Sequence, residues 1–106
     1  MPMTVVVTRD VAPRIRGFLA SVAVEIAPGV YAAPRMNEGV RERVWAILLN
    51  WHRPMADGPI VMTWQDNTAV SGQGVLTIGQ PPRQLVDHDG VVLARVRDVS
   101  DNDIVR

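Results

Sequence analysis

The chain has no cysteine and only two histidines, His52 and His88, among its 106 residues. Without thiols it forms no disulfide and no thiolate metal site, which suits a reducing compartment. Two imidazoles are too few for a histidine-rich zinc site. These absences exclude disulfide scaffolds and the common structural zinc folds.

Long apolar runs are also missing. No stretch approaches the length of a membrane span, and the first residues lack the basic and apolar segments of a secretion signal. We therefore expect a cytoplasmic protein with no membrane partner. The apolar fraction of 47% and the charged fraction of 21% are ordinary for a globular protein. We predict one domain over residues 1–97 and a polar tail over residues 98–106.

Lysine is absent, so all 11 basic residues are arginine, and they balance 11 acidic residues. A formal charge of zero argues against strong nonspecific binding of nucleic acid. The arginine bias has two explanations that are compatible with each other. One is a GC-rich genome, and the other is bidentate recognition of phosphate, at which arginine is better than lysine.

The most informative segment is residues 3–17. Its apolar, β-branched start predicts a buried strand over residues 3–9, and a proline followed by apolar residues at helical spacing predicts a helix over Pro13–Val22. Arg14 and Arg16 lie in the first turns of that helix. A helix N-terminus already carries partial positive charge, so arginines there are unfavourable unless an anion binds. We therefore expect a phosphate at this helix start.

The remaining elements follow from hydrophobic periodicity and turn residues. Asn37 caps a second helix. In chain order, we predict strands at 24–26 and 30–33, a helix at 38–51, a loop at 53–59, strands at 60–64 and 75–78 joined by a mobile loop at 66–74, a rigid Pro-Pro connector at 80–84 and a last strand at 91–96.

Two details concern the helices. Gly17 allows a phosphate or a partner backbone to approach closely, or it packs closely inside the protomer. Arg41 lies four residues before Trp45, a spacing suited to a cation–π contact, although core packing also explains the tryptophan.

The order of elements predicts an α+β, ferredoxin-like βαββαβ fold with an additional C-terminal strand. Both helices then cover one face of an antiparallel sheet. Apolar residues such as Val5, Val7, Met62 and Trp64 supply either face. A bare apolar face predicts a homodimer packed sheet to sheet, with the final strand placed to cross to a neighbour.

Short motifs of fixed order run through the chain. They are Met3–Gly17, Gly29–Tyr31, Trp45, Val61–Trp64, Asn67–Thr68, Gly79 and Val86–Gly90. With this order and spacing, residues 3–96 resemble the CRISPR-associated protein 2 family (CRISPR-associated endoribonuclease 2), in its type I-E branch. The resemblance implies a ferredoxin-like homodimer that lies between two dimers of the CRISPR integrase. There it spans protospacer duplex DNA during spacer acquisition, helps to set the captured length, and docks its C-terminal strand on the integrase.

The resemblance also assigns nucleic-acid-binding residues. It implies that Arg14 and Arg16 contact DNA phosphates, together with a basic pair in the connector. Here that pair keeps only Arg83, since Pro82 stands at the other position. A basic residue at the start of the second helix is replaced by Gly39, and the nearby basic residues that could compensate are Arg35 and Arg41.

A second function implied by the resemblance is a Mg²⁺-dependent endonuclease acting on RNA or duplex DNA. One acidic residue at the end of the first strand of each protomer would hold the metal, which activates water for phosphodiester hydrolysis. That position is Arg9 here, with Asp10 beside it as the candidate catalytic and metal-binding acid. Asp10 serves only if the strand ends at Thr8 and the chain turns; otherwise it caps the first helix or pairs with an arginine. Asp87–Asp89 are a weak metal site or a turn.

A third interpretation is an interaction module that has this fold but no role with DNA. It accounts for the sheet and the dimer but not for the arginines. Failure to bind duplex DNA, with or without the integrase, would favour it.

Overall fold

A computed structural model describes residues 2–79 and the backbone of the strands at 83–88 and 91–96. The elements are β1 (Thr4–Thr8), α1 (Pro13–Val22), β2 (Val24–Ala27), β3 (Val30–Ala33), α2 (Glu38–Trp51), β4 (Ile60–Gln65), β5 (Gln73–Ile78), β6 (Arg83–His88) and β7 (Val91–Val96).

The first five strands form one antiparallel sheet in the order β2-β3-β1-β4-β5. Strands β1 to β4 with the two helices make the βαββαβ arrangement of a ferredoxin-like fold, and β5 extends the sheet beyond β4. Strands β6 and β7 pair as a separate two-stranded sheet. The predicted α+β class and ferredoxin-like plan are confirmed.

Register divides the side chains of the sheet between its two faces. Val6 lies opposite Tyr31 on one side and Met62 on the other, so these three residues share a face. All three are buried in one core with Ile15 of α1 and Leu48 of α2. The helices therefore cover this face.

The other face of the sheet is also apolar. It includes Val5, Val7, Val30, Ala32, Val61, Thr63 and Val75, and Val24 joins them on the edge strand β2. Val7 is 41% exposed and Val24 is 63% exposed. Met62 and Trp64 thus belong to the helix-covered face, whereas Val5 and Val7 belong to the opposite face. The sequence pattern alone did not assign these four residues to a face.

Both helices have the predicted bounds because their start signals are local. α1 begins at Pro13, whose fixed φ suits the first helical position. α2 begins after Asn37, whose Oδ1 accepts the Val40 N–H at 2.8 Å.

Some predicted bounds were wrong. β1 is shorter than the predicted 3–9 because the chain bends after Thr8. β5 begins at Gln73, inside the predicted loop at 66–74. The predicted connector at 80–84 overlaps β6, which starts at Arg83. Residues 80–82 of the connector lie outside the described part of the chain.

The structure also decides between two pairs of alternatives for side chains on the helices. Among residues 2–79, no atom outside its own helix and chain neighbours lies within 4 Å of a Cβ placed on Gly17, so Gly17 is not closely packed against this part of the protomer. The Arg41 guanidinium lies over Trp64, 4.1 Å from the ring centroid, rather than over Trp45. Trp45 packs against the core instead.

Candidate nucleic-acid interface

One end of the sheet gathers most of the predicted site. β1 ends there, α1 starts there and α2 ends there, followed by the loop at 53–59 that leads into β4. Three of the site residues, Asp10, Arg14 and Arg16, belong to this end.

Backbone contacts fix the turn that joins β1 to α1. The Arg9 N–H donates to the Pro59 carbonyl at 3.2 Å, and the Gly58 N–H donates to the Asp10 carbonyl at 3.1 Å. Asp10 has a φ of 55°, an uncommon conformation for a residue with a side chain. A Cβ on Gly58 would collide with the Arg9 carbonyl oxygen, so glycine is required for this close approach.

Asp57 fastens the α2–β4 loop to the start of α1. Its Oδ1 accepts the Ala12 N–H at 2.9 Å, and its Oδ2 accepts the Arg53 N–H at 2.9 Å. The Arg53 guanidinium adds two donors, at 3.2 and 3.3 Å. This side-chain bond from Arg53 is the main reason why the pKa of Asp57 falls to about 2, and the backbone N–H donors lower it further against the opposing effect of burial.

This arrangement limits which groups at the helix start are available to a phosphate. The anion beside the α1 N-terminus is Asp57 of the chain itself, and it occupies the Ala12 N–H. Pro13 has no N–H to offer. Little of the backbone anion site remains, so any phosphate recognition at this end must come from the side chains of Arg14 and Arg16.

Neither of the two structural roles considered for Asp10 is found among residues 2–79. The α1 N-cap residue is Ala12, which has no side-chain cap, so Asp10 does not cap the helix. Within residues 2–79 the only ion pair joins Arg53 and Asp57, so Asp10 does not pair with an arginine there. The condition for its use as a metal ligand is nevertheless met, because β1 ends at Thr8 and the exposed Asp10 follows a bend.

An open cleft of about 410 Å³ lies beside this turn. It is lined by Thr8, Arg9, Asp10, Val11, Arg16, Glu25, Pro28 and Gly29. Burial raises the pKa of the Tyr31 phenol nearby; the Glu25 charge adds to this rise and Arg16 opposes it. The Glu25 carboxylate accepts the Gly29 N–H at 3.0 Å. The cleft therefore holds charges of both signs, and Arg16 shares it with two carboxylates.

Arg14 has an aromatic neighbour rather than an acidic one. Its Cζ atom lies 3.8 Å from the centroid of the Trp51 ring, and the edge of Phe18 meets the same ring at a centroid distance of 5.5 Å. The exposed guanidinium is thus stacked on the last residue of α2 while remaining open to solvent on its outer side.

Arg41 lies at the opposite end of the sheet from Arg14. It is in the first turns of α2, about 15 Å from Trp51 at a rise of about 1.5 Å per residue, and it stacks on Trp64. The Arg41 charge helps to lower the pKa of Asp66, after the stronger effect of hydrogen bonds from Thr68. Arg41 is therefore partly balanced by a carboxylate.

The other predicted residues add less to this surface. Gly39 and Arg35 are exposed near the start of α2. The Arg83 side chain lies outside the described part, as do the side chains of Asp87 and His88 and all of Asp89. Over the part that is described, no three histidine or acidic side chains come together as a metal site, and no helix is long and apolar enough to cross a membrane.

Sequence reasoning missed three contributors to this surface. Asp57 lies within the loop predicted at 53–59, and Trp51 is the last residue of the helix predicted at 38–51. The Trp64 partner of Arg41 comes from a later strand. A lone aspartate before glycine and two tryptophans on apolar stripes carry no local signal for these partners.

Comparison with known proteins agrees with the resemblance drawn from the motifs. The model of a protein family described as CRISPR-associated protein (Cas_Cas2CT1978) matches residues 3–93. The matched span begins just before β1 and extends into β7, so it includes the whole five-stranded sheet and both helices.

Proposed function

This chain belongs to the family CRISPR-associated protein (Cas_Cas2CT1978), and we propose that it is the dimeric, non-catalytic scaffold of a spacer-acquisition complex. In this role it binds the phosphate backbone of protospacer duplex DNA and bridges dimers of the CRISPR integrase. The family match supports a CRISPR role in general, and the scaffold role rests on the surface described above.

The observation that carries the proposal is the state of Arg14 and Arg16. Both side chains are exposed on the first turns of α1, and neither forms an ion pair with an acid of residues 2–79. Arg53, by contrast, is engaged by Asp57. The carboxylate near this helix start is Asp57, and it forms its ion pair with Arg53. The exposed guanidinium groups of Arg14 and Arg16 therefore keep N–H donors available for phosphate oxygens.

The apolar face of the sheet that the two helices leave uncovered supports the dimer. Val7 and its neighbours on β3 and β4 form a continuous valine-rich surface on the side away from the helices. Burying such a surface between two copies is favourable, and a two-fold axis doubles each arginine cluster. The dimer stays neutral overall, as the single chain is, but it presents two copies of the local arginine patch.

Titration of fluorescently labelled duplex DNA tests the proposal. Replacing Arg14→Ala together with Arg16→Ala should weaken binding by about tenfold or more, equally for unrelated sequences, because phosphate contacts carry no sequence information. Arg43→Glu is the matched control, since it changes the net charge by the same two units on the exposed side of α2. Equal affinity of the double variant and the wild type would overturn the assignment.

A Mg²⁺-dependent endonuclease is the second candidate, favoured by the bend that follows Thr8. The exposed Asp10 carboxylate there fits as one oxygen ligand of Mg²⁺, which binds few protein carboxylates and keeps several waters. A bound Mg²⁺ would supply an activated water and stabilise the charge on phosphate. Arg9 in place of the acid expected from the resemblance leaves Asp10 as the carboxylate nearest the end of β1.

Cleavage of end-labelled RNA and duplex DNA, with and without Mg²⁺, separates the two candidates. Mg²⁺-dependent cutting that Asp10→Ala abolishes would establish the nuclease. Glu38→Ala removes an exposed carboxylate at the other end of the sheet and serves as the control. Intact substrate, or cutting that survives in Asp10→Ala, leaves the scaffold.

A further inference from the structure

Trp51 contacts two residues of α1 at once. The Arg14 Cζ atom lies over its face at 3.8 Å from the ring centroid, and Phe18, one turn further along α1, meets the ring at an interplanar angle of 65°. Phe18 therefore orients the indole ring, and the ring in turn supports the guanidinium. The ring is half-buried against the core, whereas the arginine is exposed.

The neighbours of Arg14 differ from those of the other arginines. Arg53 is bound by Asp57, Arg41 is stacked but lies near Asp66, and Arg16 shares a cleft with Glu25. Among the described contacts, the Arg14 guanidinium stacks on the Trp51 ring and forms no ion pair with a carboxylate.

Stacking and phosphate binding use different parts of the arginine side chain. The guanidinium presents its face to the ring, while its N–H donors lie in its plane and point outward. A free arginine loses rotamer freedom when it binds, and a stacked one has already lost part of it. A stacked guanidinium without an acidic neighbour is therefore preorganised for an external anion.

We propose that Trp51 is a positioning residue for DNA binding: it holds the Arg14 guanidinium in the orientation that accepts a phosphate of the duplex backbone. The inference rests on the proposed function, because it takes the ligand of Arg14 to be a DNA phosphate. The inference assigns Trp51 an indirect role, in which it acts on the DNA only through Arg14.

A double-mutant cycle between Trp51 and Arg14 tests this proposal. The affinity for a labelled duplex of mixed sequence is measured for the wild type, Trp51→Leu, Arg14→Ala and the combined variant. Trp51→Leu should weaken binding about two- to fivefold per protomer, the range expected for an exposed cation–π contact. It should have no further effect once Arg14 is alanine. Trp51→Phe keeps an aromatic face and should restore most of the affinity.

A second measurement is independent of DNA and of overall stability. In the wild type, the ring current of Trp51 should shift the Arg14 δ-methylene proton resonances upfield. The shift should disappear in Trp51→Leu and persist in part in Trp51→Phe, as measured by NMR on the free protein. A wild-type spectrum without this shift would overturn the proposal.

The outcomes separate this inference from the proposed function. If Arg14→Ala binds as tightly as Arg43→Ala, the phosphate role of Arg14 fails and the inference fails with it. If Arg14→Ala weakens binding but Trp51→Leu does so equally with and without Arg14, only the inference fails. In that case Trp51 supports the fold rather than the guanidinium.

Discussion

The Asp57 carboxylate accepts a hydrogen bond from the Ala12 backbone N–H across 45 positions of sequence. This bond ties the loop after α2 to the residue that precedes α1. It also places a negative charge at the positive end of the helix that carries Arg14 and Arg16, where the macrodipole favours an anion. Asp57 forms its ion pair with Arg53 and with neither of these two arginines.

Asp57→Ala should destabilise the fold by about 2–3 kcal/mol, because it leaves two backbone donors and a guanidinium without their buried acceptor. Chemical denaturation measures the free energy of unfolding. Asp66→Ala is the control: the Asp66 carboxylate accepts its hydrogen bonds from the exposed Thr68, and the loss of these bonds should cost less than about 1 kcal/mol. Equal losses in the two variants would contradict the role given to Asp57.

Asp57 should also make the free energy of unfolding depend on pH in the acid range. Its pKa in the folded protein, about 2, is below the ordinary value of 3.8. A depressed pKa adds stability above pH ~4, and this contribution is lost as the pH falls towards 2. The difference in unfolding free energy between wild type and Asp57→Asn should therefore shrink over that range. A difference that stays constant from pH 6 to about pH 2 would show that the carboxylate charge does not matter.

Gly17→Ala should stabilise α1 by about 0.5–1 kcal/mol, the usual gain of alanine over glycine inside a helix. The new methyl group has open space around it apart from the helix itself. Thermal unfolding measures this gain. If duplex affinity falls while stability rises, Gly17 serves close approach to the DNA backbone; if affinity is unchanged, it does not.

Val7→Asp should dissociate the proposed dimer, because it places a charge on the apolar sheet face that the helices leave bare. Light scattering after size-exclusion chromatography measures the mass. Leu49→Asp is a suitable control, since Leu49 is exposed on α2. Retention of the dimer in Val7→Asp, or its loss in Leu49→Asp, would place the interface elsewhere.

The sequence sufficed for features that depend on neighbouring residues. The start of α1 follows from Pro13 and the start of α2 from Asn37, and both helices have the predicted ends. Alternation and element order were enough for the ferredoxin-like plan. The resemblance to a CRISPR-associated family is confirmed by the family match.

Features that depend on distant residues could not be predicted in this way. A helical i, i+4 rule paired Arg41 with Trp45, but the ring of Trp64 on the adjoining strand is its partner. The carboxylate beside the α1 start was not predicted, because Asp57 arrives there only through the loop that follows α2. β6 was missed because two prolines precede it and indicated a connector.

The salt dependence of duplex binding tests the central claim most directly. The slope of log K against log[salt] counts the phosphates that the protein neutralises, at about 0.9 per phosphate on duplex DNA. We predict a steep slope for the wild type, the same slope for unrelated sequences, and a shallower one for Arg14→Ala with Arg16→Ala. A slope that is unchanged in the double variant, while Arg43→Glu alters it, would contradict the claim that these two arginines bind the backbone of DNA.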